Sequence, residues 1–194
     1  MFKLFSLILL SLAVVTGYAS SPLDTTINLM VKRASLMKNV ARCKWHINHH
    51  VSAYSAEQEV TVLQNAQDVA HKNNLNVNSL LIFIQVQMDL SKQIEDYWIS
   101  HWNSKININD QSNNNDTDCL SNLRLKIQKI DENLYPDISK NLSKIEDIPS
   151  KTLVHKLNKY FISSKGNRMK GIPEHPDYLG LMATSLKQIQ KIKE

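Results

Sequence analysis

Apolar residues recur along most of this chain at steps of three, four and seven, the spacing of one face of an α-helix. Leu29, Leu36, Val40 and Ile47 set out a first helix over about 25–49, announced by Pro22 and by Asp24 as a candidate N-cap. Ser55-Ala-Glu-Gln58 has the form of a capping box, and the helix it opens turns Val62, Ala66, Val69 and Ala70 inward before ending near Asn73 and Asn74. A third helix, capped by Asn78 or Ser79, reaches about Asn103. Its apolar residues are dense, among them Leu80, Phe83, Ile84, Met88, Ile94 and Trp98, which predicts a central position. Residues 104–118 are rich in Asn, Asp and Ser and predict a loop. Leu120, Leu123, Ile127, Ile130 and Leu134 predict a fourth helix, after which Pro136 and Pro149 break the chain. Shorter helices follow over about 151–163 and 178–193, separated by a loop over 165–176. The expectation is an all-α single domain of about six helices, with a long first helix and a central third one.

Composition sharpens this picture. Four glycines and five prolines in 194 residues favour helices over a turn-rich β architecture. The length suits one domain with a sizeable core. The net charge of +5 is scattered without a run of Lys or Arg, which argues against a nucleic-acid partner. Residues 1–19 read as a secretory signal peptide: Lys3, an apolar stretch over 4–15, and Gly17-Tyr-Ala19 before the cleavage point. That stretch is short of the ~20 residues a membrane span needs, so cleavage is favoured over anchoring. The expected product is an exported domain over 20–194, periplasmic or secreted, with no membrane association after cleavage. Export permits a disulfide between the two cysteines, Cys43 and Cys119, the alternative being two free buried thiols. Asn115 and Asn141 fit the glycosylation sequon.

The candidate chemistry lies in polar residues at helical spacing. Arg33 and Lys44 stand eleven apart, a step that returns almost to the same helix face about 16 Å further on. Two long cationic side chains can lean across that gap, and two converging cations suit a small molecule with two carboxylates. Gln87, Ser91 and Glu95 stand four apart and bring an amide, a hydroxyl and a carboxyl to one face of a second helix. Either set alone would be read as a solvated face. His46 and His50, at i and i+4, could chelate a metal, but no further ligand set at metal spacing accompanies them, so no metal is expected.

Taken in order, these residues resemble the helical chorismate mutases, the AroQ class, and most closely its secreted gamma subclass. The likeness runs through Arg33 and Val40-Ala41-Arg42-Cys43-Lys44-Trp45, then Glu59-Val-Thr-Val62-Leu63, then Gln87-Met-Asp-Leu-Ser91-Lys-Gln-Ile-Glu95, ending at Trp102. Arg124 in Leu123-Arg124-Leu-Lys-Ile127 is similar to an arginine that secreted members add from a later helix. The resemblance covers roughly residues 25–130. One departure stands out: where the family places an arginine before the glutamate matched by Glu59, this chain has Gln58, or Ala56 if the preceding loop is aligned without a gap.

The resemblance implies an isomerase that converts chorismate to prephenate by a pericyclic shift, with no cofactor and no metal. It implies that Lys44 and Glu95 flank the breaking ether bond as the catalytic pair. Arg33 and Arg124 clamp carboxylates, Glu59 accepts from the ring hydroxyl, and Ser91, Gln87 and Gln58 add contacts. Relatives are often dimeric, so a homodimer is implied by analogy alone. Two alternatives stay open: a ligand-binding protein on the same scaffold, weakened in catalysis at Gln58, and a secreted helical interaction protein whose pocket is incidental.

Overall fold

The long N-terminal amphipathic segment folds as two successive helices, α1 (Pro22–Ser35) and α2 (Met37–Ile47), rather than one. The chain, seen in a computed structural model, is described over residues 22–48, 51–105, 117–162 and 167–192. The remaining helices are α3 (Ala56–Lys72), α4 (Val77–Asn103), α5 (Thr117–Asp147), α6 (Ser150–Phe161) and α7 (Pro176–Lys187). Among the described residues β-structure is limited to two isolated bridges. No described helix is long and apolar enough to cross a membrane. The predicted signal peptide, His49, His50, Asn115 and most of the Asn-rich loop lie outside the described residues.

The break at Leu36 is local. The Leu36 N–H bonds to Arg33 O at 3.2 Å, a tightened three-residue step, and the Ser35 hydroxyl donates back to Lys32 O at 2.7 Å. A hydroxyl competing for a helical carbonyl is a recognised cause of such bends. The helix also starts earlier than expected. Asp24 is not its cap but sits in the first turn of α1, where it pairs with Lys156 of α6 at 2.7 Å. Ile47, expected to face inward, is 45% exposed at the end of α2.

Pro136 does not break the chain: it lies inside α5, which runs on for 31 residues. A proline inside a helix costs about 3 kcal/mol through its missing donor and its clash with the preceding turn. Burial offsets that cost here. Leu134 and Ile138, on either side of Pro136, are fully buried and Tyr135 nearly so. Thr26 on α1 donates to the Asp137 carboxylate, and Ser139 donates to Asn73 O at 2.7 Å, so the helix is pinned just after the proline. The sequon at Asn141 falls on this same helix. Asn141 is 3% exposed and its amide is bonded to Asp137, which leaves no room for a glycan there.

The caps of α3 and α4 show one agreement and one shift. Ser55 caps α3 as its sequence predicts, accepting from Gln58 N at 3.4 Å. For α4 the cap is Asn76, not Asn78 or Ser79; its side chain accepts from Ser79 N at 3.1 Å. Helix α4 is central as its composition predicts. It packs on α2, α3 and α7 and buries Leu80, Phe83, Leu90 and Ile94, while α5 packs along α1. Gly171 allows the segment before α7 to lie against α4: its φ is +87°, and a Cβ there would sit 2.6 Å from Ile94 Cα. The outcome is a pocket walled by α1–α2, α3, α4 and α5, with α6 and α7 packed outside it.

Candidate active site

Arg33 occupies the last turn of α1, and because α5 packs on that helix its side chain is buried, with the residue 8% exposed. The burial is matched by fixed partners. Arg33 Nε lies 3.2 Å from Asp131 Oδ1 on α5, and Nη1 donates to Ser91 Oγ on α4 at 3.0 Å. Ser91 is itself oriented by donating to Gln87 O at 2.9 Å, one turn back. Lys44, in the last turn of α2, lies 2.7 Å from Glu95 Oε2 and donates to Ala53 O at 2.8 Å. Thus the two cations, on successive helices rather than one, both meet the polar face of α4.

A cavity of about 580 Å³ opens between these helices. Arg33, Lys44, Gln58, Glu59, Ser91, Glu95 and Arg124 all line it. Gln87 does not. It is 2% exposed, contributes its carbonyl to Ser91, and its Nε2 finds no partner among the described residues. Its place on the same stripe put it a turn too deep, under the wall rather than on it. Of the two positions the resemblance offers at the start of α3, Gln58 lines the cavity and Ala56 does not. Arg124 is exposed and makes no ion pair with a described residue.

Several polar lining residues escaped the sequence reading, among them Asp131 and Tyr135, seven and eleven residues after Arg124 on α5. Lys92, which follows Ser91 on α4, also lines the cavity; with Arg42 it is one of two cations beside the matched residues to which the resemblance gives no role. The signal for Asp131 and Tyr135 was present: Leu120, Arg124, Ile127, Asp131 and Tyr135 recur at steps of three and four, a second stripe beside the apolar one.

Charge in the cavity is balanced. Arg33 faces Asp131, Lys44 faces Glu95, and Lys92 Nζ lies 3.2 Å from Glu59 Oε1 and 2.9 Å from Asp89 Oδ1. Burial raises the pKa of Glu95, opposed by the charge and hydrogen bond of Lys44. Burial likewise raises that of Asp131, opposed by Arg33. Removing a carboxylate from water favours its neutral form, and an adjacent cation favours the charged one. Here desolvation prevails at both. Tyr135 is pushed well up by burial and so stays a neutral hydroxyl. No histidine or cysteine lines the cavity, and no group of three or more His, Cys, Asp or Glu among the described residues is arranged to hold a metal.

One edge of the cavity is stapled. Cys43 and Cys119 form a disulfide with their Cα atoms 5.9 Å apart, joining α2 beside Lys44 to the first turn of α5. On the outer side of α2, Trp45, Trp98 and Trp102 pack on one another, and Trp45 Nε1 donates to Asn103 Oδ1 at 2.7 Å. These rings lie outside the cavity.

The pocket of this helical bundle carries Arg33 paired with Asp131 and Lys44 paired with Glu95, and known structures share the bundle's architecture. The chain has the fold of the secreted chorismate mutase from Yersinia pestis, with a TM-score of 0.64 at 20% identity over 87% of this chain and 98% of that one. It is similar also to the chorismate mutase from Burkholderia thailandensis, with a TM-score of 0.60 at 18% identity over 85% of this chain and 98% of that one. No protein-family model matches the chain.

Proposed function

We propose that this chain is an exported chorismate mutase that rearranges chorismate to prephenate in the cavity between α1–α2, α3, α4 and α5. The observation that carries the reading is the meeting of Arg33, Lys44, Glu59, Ser91 and Glu95 around one cavity, the residues to which the sequence resemblance gives roles. The fold shared with two chorismate mutases supports it.

A pericyclic shift needs no nucleophile. The protein must hold a flexible dianion in a reactive form and stabilise the charge that grows on the ether oxygen as the C–O bond breaks. Arg33, held from both sides by Asp131 and Ser91, presents its remaining guanidinium donors to a carboxylate with little loss of freedom on binding. Lys44 and Glu95, in direct contact at 2.7 Å without a ligand, part to flank the ether oxygen when the substrate binds. Lys44 donates as a compact charge, and Glu95 donates once protonated, the form that its burial favours. Glu59 accepts from the ring hydroxyl, and Arg124 closes over the second carboxylate from α5.

A second reading has one observation behind it. Gln58 faces the cavity where related enzymes place an arginine, and the cavity's buried cations are already paired. A ligand-binding protein with little turnover would look the same. Loss of chorismate absorbance on adding the purified chain, begun near Ser20 and with EDTA present, tests the first reading. Well-folded protein without turnover would overturn it, and tight binding of a transition-state analogue in that case would establish the second.

A further inference from the structure

We infer that Lys92 supplies the carboxylate-binding charge that related enzymes place on α3 and that Gln58 lacks. This rests on the chorismate mutase reading and names a ligand contact within the same cavity.

Position 58 faces the cavity with a neutral amide, so any replacement charge must come from another wall. Arg42 is excluded: its guanidinium lies over the Trp102 ring, 5.8 Å from the centroid, and it does not line the cavity. Lys72 lies fourteen residues beyond Gln58 on α3, about 21 Å along the helix at 1.5 Å per residue. Lys92 lies next to Ser91 on α4 and three residues before Glu95, and it reaches across to the first turn of α3. Its Nζ is 3.2 Å from Oε1 of Glu59, the residue immediately after Gln58. The ammonium therefore lies at the first turn of α3, against the side chain that follows Gln58, and both residues line the cavity.

The donor count leaves room for a ligand. An ammonium has three N–H groups. Asp89 lies at 2.9 Å and Glu59 at 3.2 Å, with the Tyr54 ring 6.0 Å away, so one N–H has no acceptor committed to it. The stem is held as well, since the Lys92 side chain is 27% exposed. The hydrogen bond to Asp89, opposed by partial burial, raises the pKa of Lys92, so the group stays charged in ordinary buffers. Its two anchors make it a fixed point charge at the mouth of the cavity. By contrast Arg124 is exposed and unpaired among the described residues, so it reaches a ligand only by losing side-chain freedom.

Isothermal titration with an unreactive dicarboxylate analogue of the cyclic transition state tests this. Lys92→Gln should bind it roughly 10- to 100-fold more weakly, the range for a hydrogen bond to a charged group. The loss should vanish for one of the two monocarboxylate counterparts of that analogue and persist for the other, because Lys92 touches one carboxylate. Adding Gln58→Arg to Lys92→Gln should recover most of the affinity. Lys92→Met, which keeps the packed stem, should behave as Lys92→Gln and serves if the glutamine variant folds poorly by circular dichroism. Unchanged affinity in both variants, an equal loss for all three ligands, or no recovery with Gln58→Arg overturns the inference while leaving the mutase reading intact. A wild-type chain that fails to bind the dicarboxylate overturns both.

Discussion

Two cations that face the cavity are held on different terms. Lys44 is enclosed, with Glu95 at 2.7 Å, Ala53 O at 2.8 Å and the Cys43–Cys119 disulfide next door. Arg124, five residues beyond Cys119 on α5, is exposed and no described residue pairs with it. Lys44 is the closed end of this comparison and Arg124 the open one. The closed end has its donors oriented by the fold, which is what electrostatic stabilisation of a transition state requires. The open end is ordered only on a ligand, which suits capture and release. The difference teaches that charge alone does not mark a catalytic group; what matters is whether the fold has already met the cost of orienting it.

The largest effect should come from breaking the closed end directly. Lys44→Ala should lower kcat roughly a hundredfold or more, because a preorganised donor at the developing charge is removed. Circular dichroism should be unchanged, and near-normal turnover would remove the proposed mechanism.

Cutting the staple is the next test. Replacing both Cys43 and Cys119 by alanine should destabilise the chain by about 2–4 kcal/mol, as expected for a cross-link closing a long loop. Urea denaturation of oxidised and variant protein reads this out. Equal midpoints would show that helix packing alone holds the closed end.

Protonation separates the two ends without a structural change. The pKa of Glu95 is raised, chiefly by burial, so its neutral, donating form is present at lower pH and lost as pH rises through that pKa. Activity should therefore fall on the alkaline side, by about tenfold per pH unit once the group is ionised. Glu95→Gln, a donor at every pH, should flatten the fall. The same alkaline limb in this variant would assign it to another group, and Asp131, also raised by burial, would be the next to replace.

The smallest effect is expected at the open end. An exposed charge pair contributes about 0.2–1 kcal/mol. Arg124→Ala should accordingly raise KM by no more than about fivefold, with kcat little changed. A loss in kcat as large as that of Lys44→Ala would mean that the open end is organised too, and the comparison would fail.

The amino-acid sequence by itself determined the helical class, the central place of α4, the Ser55 cap and part of the cavity wall. These are local matters. Periodicity of 3.6 residues fixes which side chains share a face, so Ser91 and Glu95 fall together whatever surrounds them. The resemblance added which of those faces meet. Tertiary structure alone decided the rest. Pro136 reads locally as a break, yet burial of Leu134 and Ile138 carries the helix through it. Gln87 shares a stripe with Ser91 but lies beneath the wall. Whether Cys43 and Cys119 meet, and whether a lysine on α4 stands where an arginine on α3 is absent, depends on how two helices approach. Spacing along one helix cannot encode the distance to another. That distance is set by packing over the whole core, where many small burial terms outweigh any single local preference.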